Sequence, residues 1–185
     1  ELVDDFAKFK DVLSNVMVRN LYDLQMLSAF HMAFSQNACN FAVPGAGKTS
    51  IVYGAYAYLR SLPADDPKHV EKLLVIGPLS SFAPWEKEYN KCFGFKPESQ
   101  RLSGDAKISR VQKERHLYSS TPKELTLMNH SGLQHLKPQV MDFLKQNKVL
   151  VVVDEAHRIK NADGIWGSSA IDIAKDATSR VILTG

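Results

Sequence analysis

Cysteine is scarce: Cys39 and Cys92 are the two in 185 residues. Two thiols cannot build a disulfide framework, and these show no metal-ligand spacing. That excludes the small secreted scaffolds and leads us to expect a reducing, intracellular setting: cytoplasmic for a bacterial source, with a nuclear one open to a eukaryotic source. No stretch approaches the roughly 18 consecutive apolar residues of a membrane span. No basic-then-apolar N-terminus marks a signal peptide. Internal repeats and low-complexity tracts are lacking too, which removes collagen, coiled coil and disorder. Neither sign of charge dominates: 23 Lys and Arg against 20 Asp and Glu leave a net charge of +3. That balance permits a nucleic-acid partner without arguing for one. The histidines, at positions 31, 69, 116, 130, 135 and 157, show no ligand spacing.

What is present is an ordinary globular composition, 44% hydrophobic and 23% charged, enough to bury one core. Phe6, Phe9, Leu13, Val16 and Met17 form a stripe that predicts an amphipathic helix over 1–18, and Leu24, Leu27, Phe30 and Phe34 predict another over 23–35. The pattern then changes to short apolar runs, around 38–43, 72–77, 99–102, 125–129, 148–153 and 180–184, alternating with helical stretches. Lys148–Val153 has no polar alternation, as expected of a strand covered on both faces. Helical spacing recurs at Val52, Ala55, Tyr56 and Leu59, and again at Leu133, Leu136, Val140 and Phe143. The expected fold class is α/β: a mostly parallel sheet with helices on both faces. Ser61–Lys68 and Asn161–Ser168 have loop composition, and Lys107, Arg110, Lys113 and Arg115 cluster on a predicted helix.

The most specific signal is the run from Ala42 to Ser50, AVPGAGKTS, between a predicted strand and a predicted helix. This is a phosphate loop in its proper context. Gly45 and Gly47 let the backbone turn its N–H groups inward, and the following helix N-terminus adds its dipole. Lys48 supplies positive charge for the β- and γ-phosphates, and the Thr49 hydroxyl can ligate Mg²⁺. Pro44, Gly45, Ala46, Gly47, Lys48, Thr49 and Ser50 are the candidate nucleotide-binding residues. Ala42 stands where the commoner spelling has its first glycine, a variant found in many helicase-like ATPases. The bland alternative is a chance glycine-rich turn before a helix.

About a hundred residues on, Val151–His157 is an apolar strand ending in two acids. Asp154 at the strand tip is placed to hold Mg²⁺, and Glu155 to orient or activate a water. On a continuous strand these side chains would point oppositely, so the chain must turn there. The alternative is a solvated acidic strand end. His157 fits a polar contact coupling this strand to a neighbour.

With these motifs the chain resembles the first RecA-like motor domain of a superfamily-two helicase-type ATPase, over residues 21–185, with 1–20 as an N-terminal helical extension. The box DEAHRIKN at 154–161 resembles that of Swi/Snf-type translocases. So does Gly77–Glu88 (GPLSSFAPWEKE), with Trp85 at that family's tryptophan position, while Leu183–Gly185 resembles the start of its LTGTP segment. The phosphate loop departs from the remodeller spelling and leans towards a bacterial, phage or viral relative. The resemblance implies ATP and Mg²⁺ as cofactors, Lys48 and Glu155 as catalytic residues, Thr49 and Asp154 on the metal, and Gln25 as the adenine reader. It implies sequence-independent backbone contacts to DNA, as duplex, from Ser80, Ser81, Lys87, Asn129, His130 and Lys160. It also implies a second RecA-like domain closing the cleft. The expected function is the ATP-hydrolysing motor of a Swi/Snf-type DNA translocase. The alternatives are a strand-separating helicase, the motor subunit of a restriction enzyme, or a non-hydrolysing nucleotide switch.

Overall fold

The computed structural model describes residues 1–35, 37–40, 47–102, 107–159 and 165–184. Helices α1 (Leu2–Val16) and α2 (Asp23–Phe34) precede β1 (Asn37–Asn40) and α3 (Lys48–Ser61). Then come β2 (Lys72–Ile76), a 3-10 turn (Leu79–Ser81), α4 (Phe82–Phe93), β3 (Ser99–Arg101), α5 (Arg110–Leu117) and β4 (Leu125–Met128). The chain continues through α6 (His130–Gln146), β5 (Val149–Val153), a second 3-10 turn (Ala156–Ile159), α7 (Ile165–Asp176) and β6 (Ser179–Leu183). The six strands form one sheet in the order β1-β6-β5-β2-β4-β3. Every pairing is parallel.

The central strands are apolar on both faces almost throughout, with Lys72 at the start of β2 and Thr126 within β4 the exceptions, as a sheet covered on both faces requires. All of Val149–Val153 is buried, and so is all of Leu125–Met128. Alternation sends Leu73, Val75, Leu150 and Val152 to the face covered by α1 to α4. Leu74, Ile76, Val149 and Val151 face α6 and α7. Each such side chain stabilises the fold by about 1.5–3 kcal/mol on leaving water. The α/β sandwich expected from the sequence is therefore the fold observed.

Three local expectations are corrected. Helix α2 forms, but Leu24 and Leu27 are exposed, and the buried face is Ala29, Met32 and Ala33. Small side chains let α2 lie close against α3, and that close packing wins over the larger stripe. Ile165–Ser168, expected as loop, is the first turn of α7. Lys107 precedes α5 and is not on that helix with Arg110, Lys113 and Arg115.

The first helix contributes Phe9 and Leu13 to the same core as α3. Its ring cluster continues through Phe30 of α2 and Tyr58 of α3, with Phe9 5.5 Å from Phe30 and 5.1 Å from Tyr58 between centroids. At the amino-terminal edge of the sheet, the half-buried Glu124 carboxylate accepts the hydroxyls of Tyr56 at 2.8 Å and Tyr89 at 3.0 Å, and pairs with Arg60. Burial, and then the charge of Glu124, push both phenols well above their usual range.

On the other face, Thr126 is a buried hydroxyl in the middle of β4. Its Oγ1 lies 3.1 Å from Nε2 of His116 on α5. Burial, with Lys123 and Lys72 nearby, lowers the His116 pKa from 6.5 to about 4. The unfolded chain therefore takes up a proton that the folded protein refuses between these two values. The stability tied to a neutral His116 is complete above pH 6.5 and falls as the pH drops towards 4. Thermal melts of wild type and His116→Gln across that range should show a flatter acid limb for the variant. Parallel limbs would contradict the assignment.

Candidate active site

The carboxyl ends of β1, β6, β5 and β2 adjoin one another, the edge where open parallel sheets bind ligands. Pro44, Gly45 and Ala46 lie outside the described residues, as does Lys160. The described part of the phosphate loop begins at Gly47, which has φ +74° and ψ +38° and caps α3. This left-handed conformation favours glycine. A Cβ there would also stand 2.4 Å from Nε2 of Gln25. Gln25 is thus seated directly against the end of the loop. Its own Oε1 accepts the backbone N–H of Tyr22 at 3.1 Å, which fixes the first turn of α2.

Lys48 opens α3, and its ammonium donates to the backbone carbonyl of Thr184, just past β6, at 2.7 Å. That bond leaves further N–H donors for an anion. Thr49 is half-buried beside it, and Ser50 is buried. The Ser50 hydroxyl donates to Oε1 of Glu88 on α4 at 2.5 Å, and Arg19 pairs with the same carboxylate. The N–H of Val18 donates to the Cys92 carbonyl at 2.9 Å, so the link from α1 to α2 is tied to the end of α4.

The acids sit where β5 stops. The Asp154 N–H continues the ladder to Ile76 O at 2.7 Å, and Glu155 turns with φ +51°. Among the described residues Glu155 is the only non-glycine with positive φ. Such a conformation costs about 1–3 kcal/mol and persists where the surroundings hold it, often at functional sites. The turn removes the strand alternation that would have sent Asp154 and Glu155 to opposite faces, as expected. The Glu155 N–H donates to Asp154 Oδ1 at 2.9 Å, and the indole N–H of Trp85 donates to Asp154 Oδ2 at 3.0 Å. Gly77, at the end of β2, makes room: a Cβ there would lie 3.1 Å from Asp154 Cβ. His157 follows in the 3-10 turn, half-buried, its Nδ1 without a hydrogen-bond partner among the described residues.

This donor set fits a magnesium nucleotide. Mg²⁺ is held through one or two protein oxygens plus phosphates rather than by a cage of protein ligands. Among the described residues no group of three or more His, Cys, Asp and Glu could hold a metal ion. A hydroxyl at Thr49, a carboxylate at Asp154 and an ammonium at Lys48 are the appropriate chemistry.

Of the candidate DNA contacts, Ser80 and Ser81 lie in the 3-10 turn and Lys87 is exposed on α4. Asn129 caps α6, accepting the Gly132 N–H at 2.8 Å, and His130 is buried. Reasoning from the sequence missed Glu88, Arg19 and the Thr184 carbonyl. Glu88 falls three residues after Trp85, on the same helical face, which is a legible signal. A backbone acceptor leaves none.

No sequence match is found among curated proteins. The family model for the type III restriction enzyme res subunit matches residues 19–184. The finer likeness to Swi/Snf translocases is not what this match carries, and the restriction-enzyme motor fits it better. Since the match spans nearly the whole sequence, the chain belongs to the type III restriction enzyme res subunit family, helicase-like RecA-type motor domains of superfamily two.

Proposed function

We propose that this chain is the ATP-hydrolysing motor domain of a DNA-dependent translocase of the restriction-enzyme kind. One observation carries the reading. The phosphate-loop helix, Asp154 and Glu155 converge at adjoining strand ends, with Lys48 reaching across to the next strand.

In this reading Pro44 to Ser50 cradle the phosphates, and Lys48 exchanges a neutral carbonyl for phosphate charge. Thr49 and Asp154 would hold Mg²⁺, which would supply positive charge to offset the charge developing on the phosphates. Glu155, held out of strand geometry, takes the proton of the attacking water or orients it. Gln25, already against Gly47, reads the adenine edge. His157 couples the acid strand to its neighbours. A second RecA-like domain closes the cleft and brings the cationic group whose absence in related systems costs on the order of 10³–10⁵ in rate.

Ser80, Ser81 and Lys87, with Asn129 and Lys160, contact duplex DNA through its backbone, whereas His130, expected among these contacts, is buried and supports that edge from within. A cleft of about 430 Å³ beside α4 is lined by Lys87, Asn90 and Lys96 together with Glu86, and places Lys87 at a polar surface. The Swi/Snf-type translocase remains the second reading, supported by Trp85 at its tryptophan position. A strand-displacement assay separates both from an unwinding helicase: duplex translocation without strand separation is the expected result.

Two substitutions in the intact protein test the site. Lys48→Ala should lower DNA-stimulated ATP hydrolysis by about 10²–10³-fold, the usual effect of removing one group that stabilises transition-state charge. Glu155→Gln should lower turnover by about 10²–10⁴-fold while sparing ATP binding. Normal hydrolysis by Glu155→Gln would refute the assignment of Glu155. DNA binding should weaken steeply with salt and depend little on base sequence, because phosphate contacts dominate. Tight preference for one short sequence in competition assays would count against it.

A further inference from the structure

We propose that Trp85 is the positioning residue of the metal-holding carboxylate, and that through its indole N–H helix α4 sets the metal affinity of the site. The inference rests on the reading of Asp154 as a metal ligand.

A tryptophan at 1% exposure is ordinarily explained by packing alone, and Trp85 does pack: its ring meets Tyr53 edge-on with centroids 5.4 Å apart. Packing does not account for the direction of its one polar atom. A buried indole N–H must find an acceptor, and this one spends its only hydrogen on Asp154 Oδ2 at 3.0 Å. Oδ1 of the same carboxylate receives the Glu155 N–H at 2.9 Å. With one donor on each oxygen, the carboxylate plane is fixed and each oxygen retains a lone pair. Outer donors of this kind orient a ligating carboxylate.

Trp85 is itself anchored from the opposite side. The Tyr53 hydroxyl, on the phosphate-loop helix, donates to the Trp85 carbonyl at 2.7 Å. One turn further along α4, Glu88 takes the hydroxyl of Ser50, which adjoins Thr49. Residues 85 and 88 therefore bind the two halves of the proposed metal site, acid strand and phosphate-loop helix, from one helix face. The same helix carries Lys87 on its exposed side. A displacement of α4 would move the Asp154 carboxylate with it.

The test uses the intact protein. Mn²⁺ serves as the probe, titrated with ATPγS present and read by electron paramagnetic resonance, beside the Mg²⁺ concentration giving half-maximal hydrolysis. Trp85→Phe removes the donor and part of the ring. Replacement of Trp85 by β-(3-benzothienyl)alanine keeps the shape and puts sulfur in place of N–H, so it decides the matter if Trp85→Phe does not fold. Asp154→Asn reports on the underlying reading. The expected result is Mn²⁺ affinity reduced about 10–100-fold by the isosteric replacement, with the half-saturating Mg²⁺ raised in parallel and the melting temperature close to wild type. A packing role alone would lower stability or kcat and leave both metal readouts unmoved. Unchanged metal affinity in the isostere, with affinity lost in Asp154→Asn, overturns the proposal and spares the reading of Asp154. Unchanged affinity in Asp154→Asn overturns both.

Discussion

The parallel pairing of Lys72–Ile76 with Val149–Val153 is the constraint on which the rest of the molecule depends. It joins the two most apolar strands at the middle of the sheet, where both faces are covered and water is excluded. Register then follows, since a slip of one residue would exchange the side chains assigned to the two helical layers. The last bond of that ladder is the Asp154 N–H to Ile76 O, so the same hydrophobic pairing that builds the core ends on the acid pair. Function begins one residue beyond the last buried valine.

Helix α4 transmits that geometry sideways. It leaves β2 through Gly77 and the 3-10 turn and covers the same face of the sheet as α1 to α3. It is bonded to Asp154 by Trp85 and to the phosphate-loop helix by Glu88. Arg19, in the segment between α1 and α2, pairs with Glu88 and extends the linkage to the N-terminal helices. The proposed nucleotide site and the surface bearing Ser80, Ser81 and Lys87 are therefore linked through α4. Under the proposed function, short rigid connections of this kind suit two-state coupling between phosphates and DNA.

The parallel sheet was legible because its cause is local. Unalternated aliphatic runs such as Val149–Val153 and intervening helical spacing are written residue by residue. The turn at Asp154 and Glu155 was legible because two adjacent acids closing an apolar strand cannot serve one site without it, and the structure sets Lys48 and Asp154 at the same sheet edge. The face of α2 was not, because Ala29 and Ala33 are buried by their fit against α3, which hydrophobicity does not rank. The start of α7 was missed because the two glycines, Asn161 and Asp163 give 161–168 the composition of a loop. Trp85 could be aligned with a family pattern, yet its hydrogen bond to Asp154 spans 69 positions and depends on how α4 crosses the sheet. The Thr184 carbonyl that holds Lys48 has no side-chain signature at all.

The central claim is that this domain couples ATP hydrolysis to DNA. Its most direct measurement is steady-state ATP hydrolysis by the intact protein with Mg²⁺, alone, with single-stranded DNA and with duplex DNA. The account predicts slow hydrolysis alone and strong stimulation by duplex irrespective of its sequence. Equal rates in the three conditions, or hydrolysis in none of them, would contradict it.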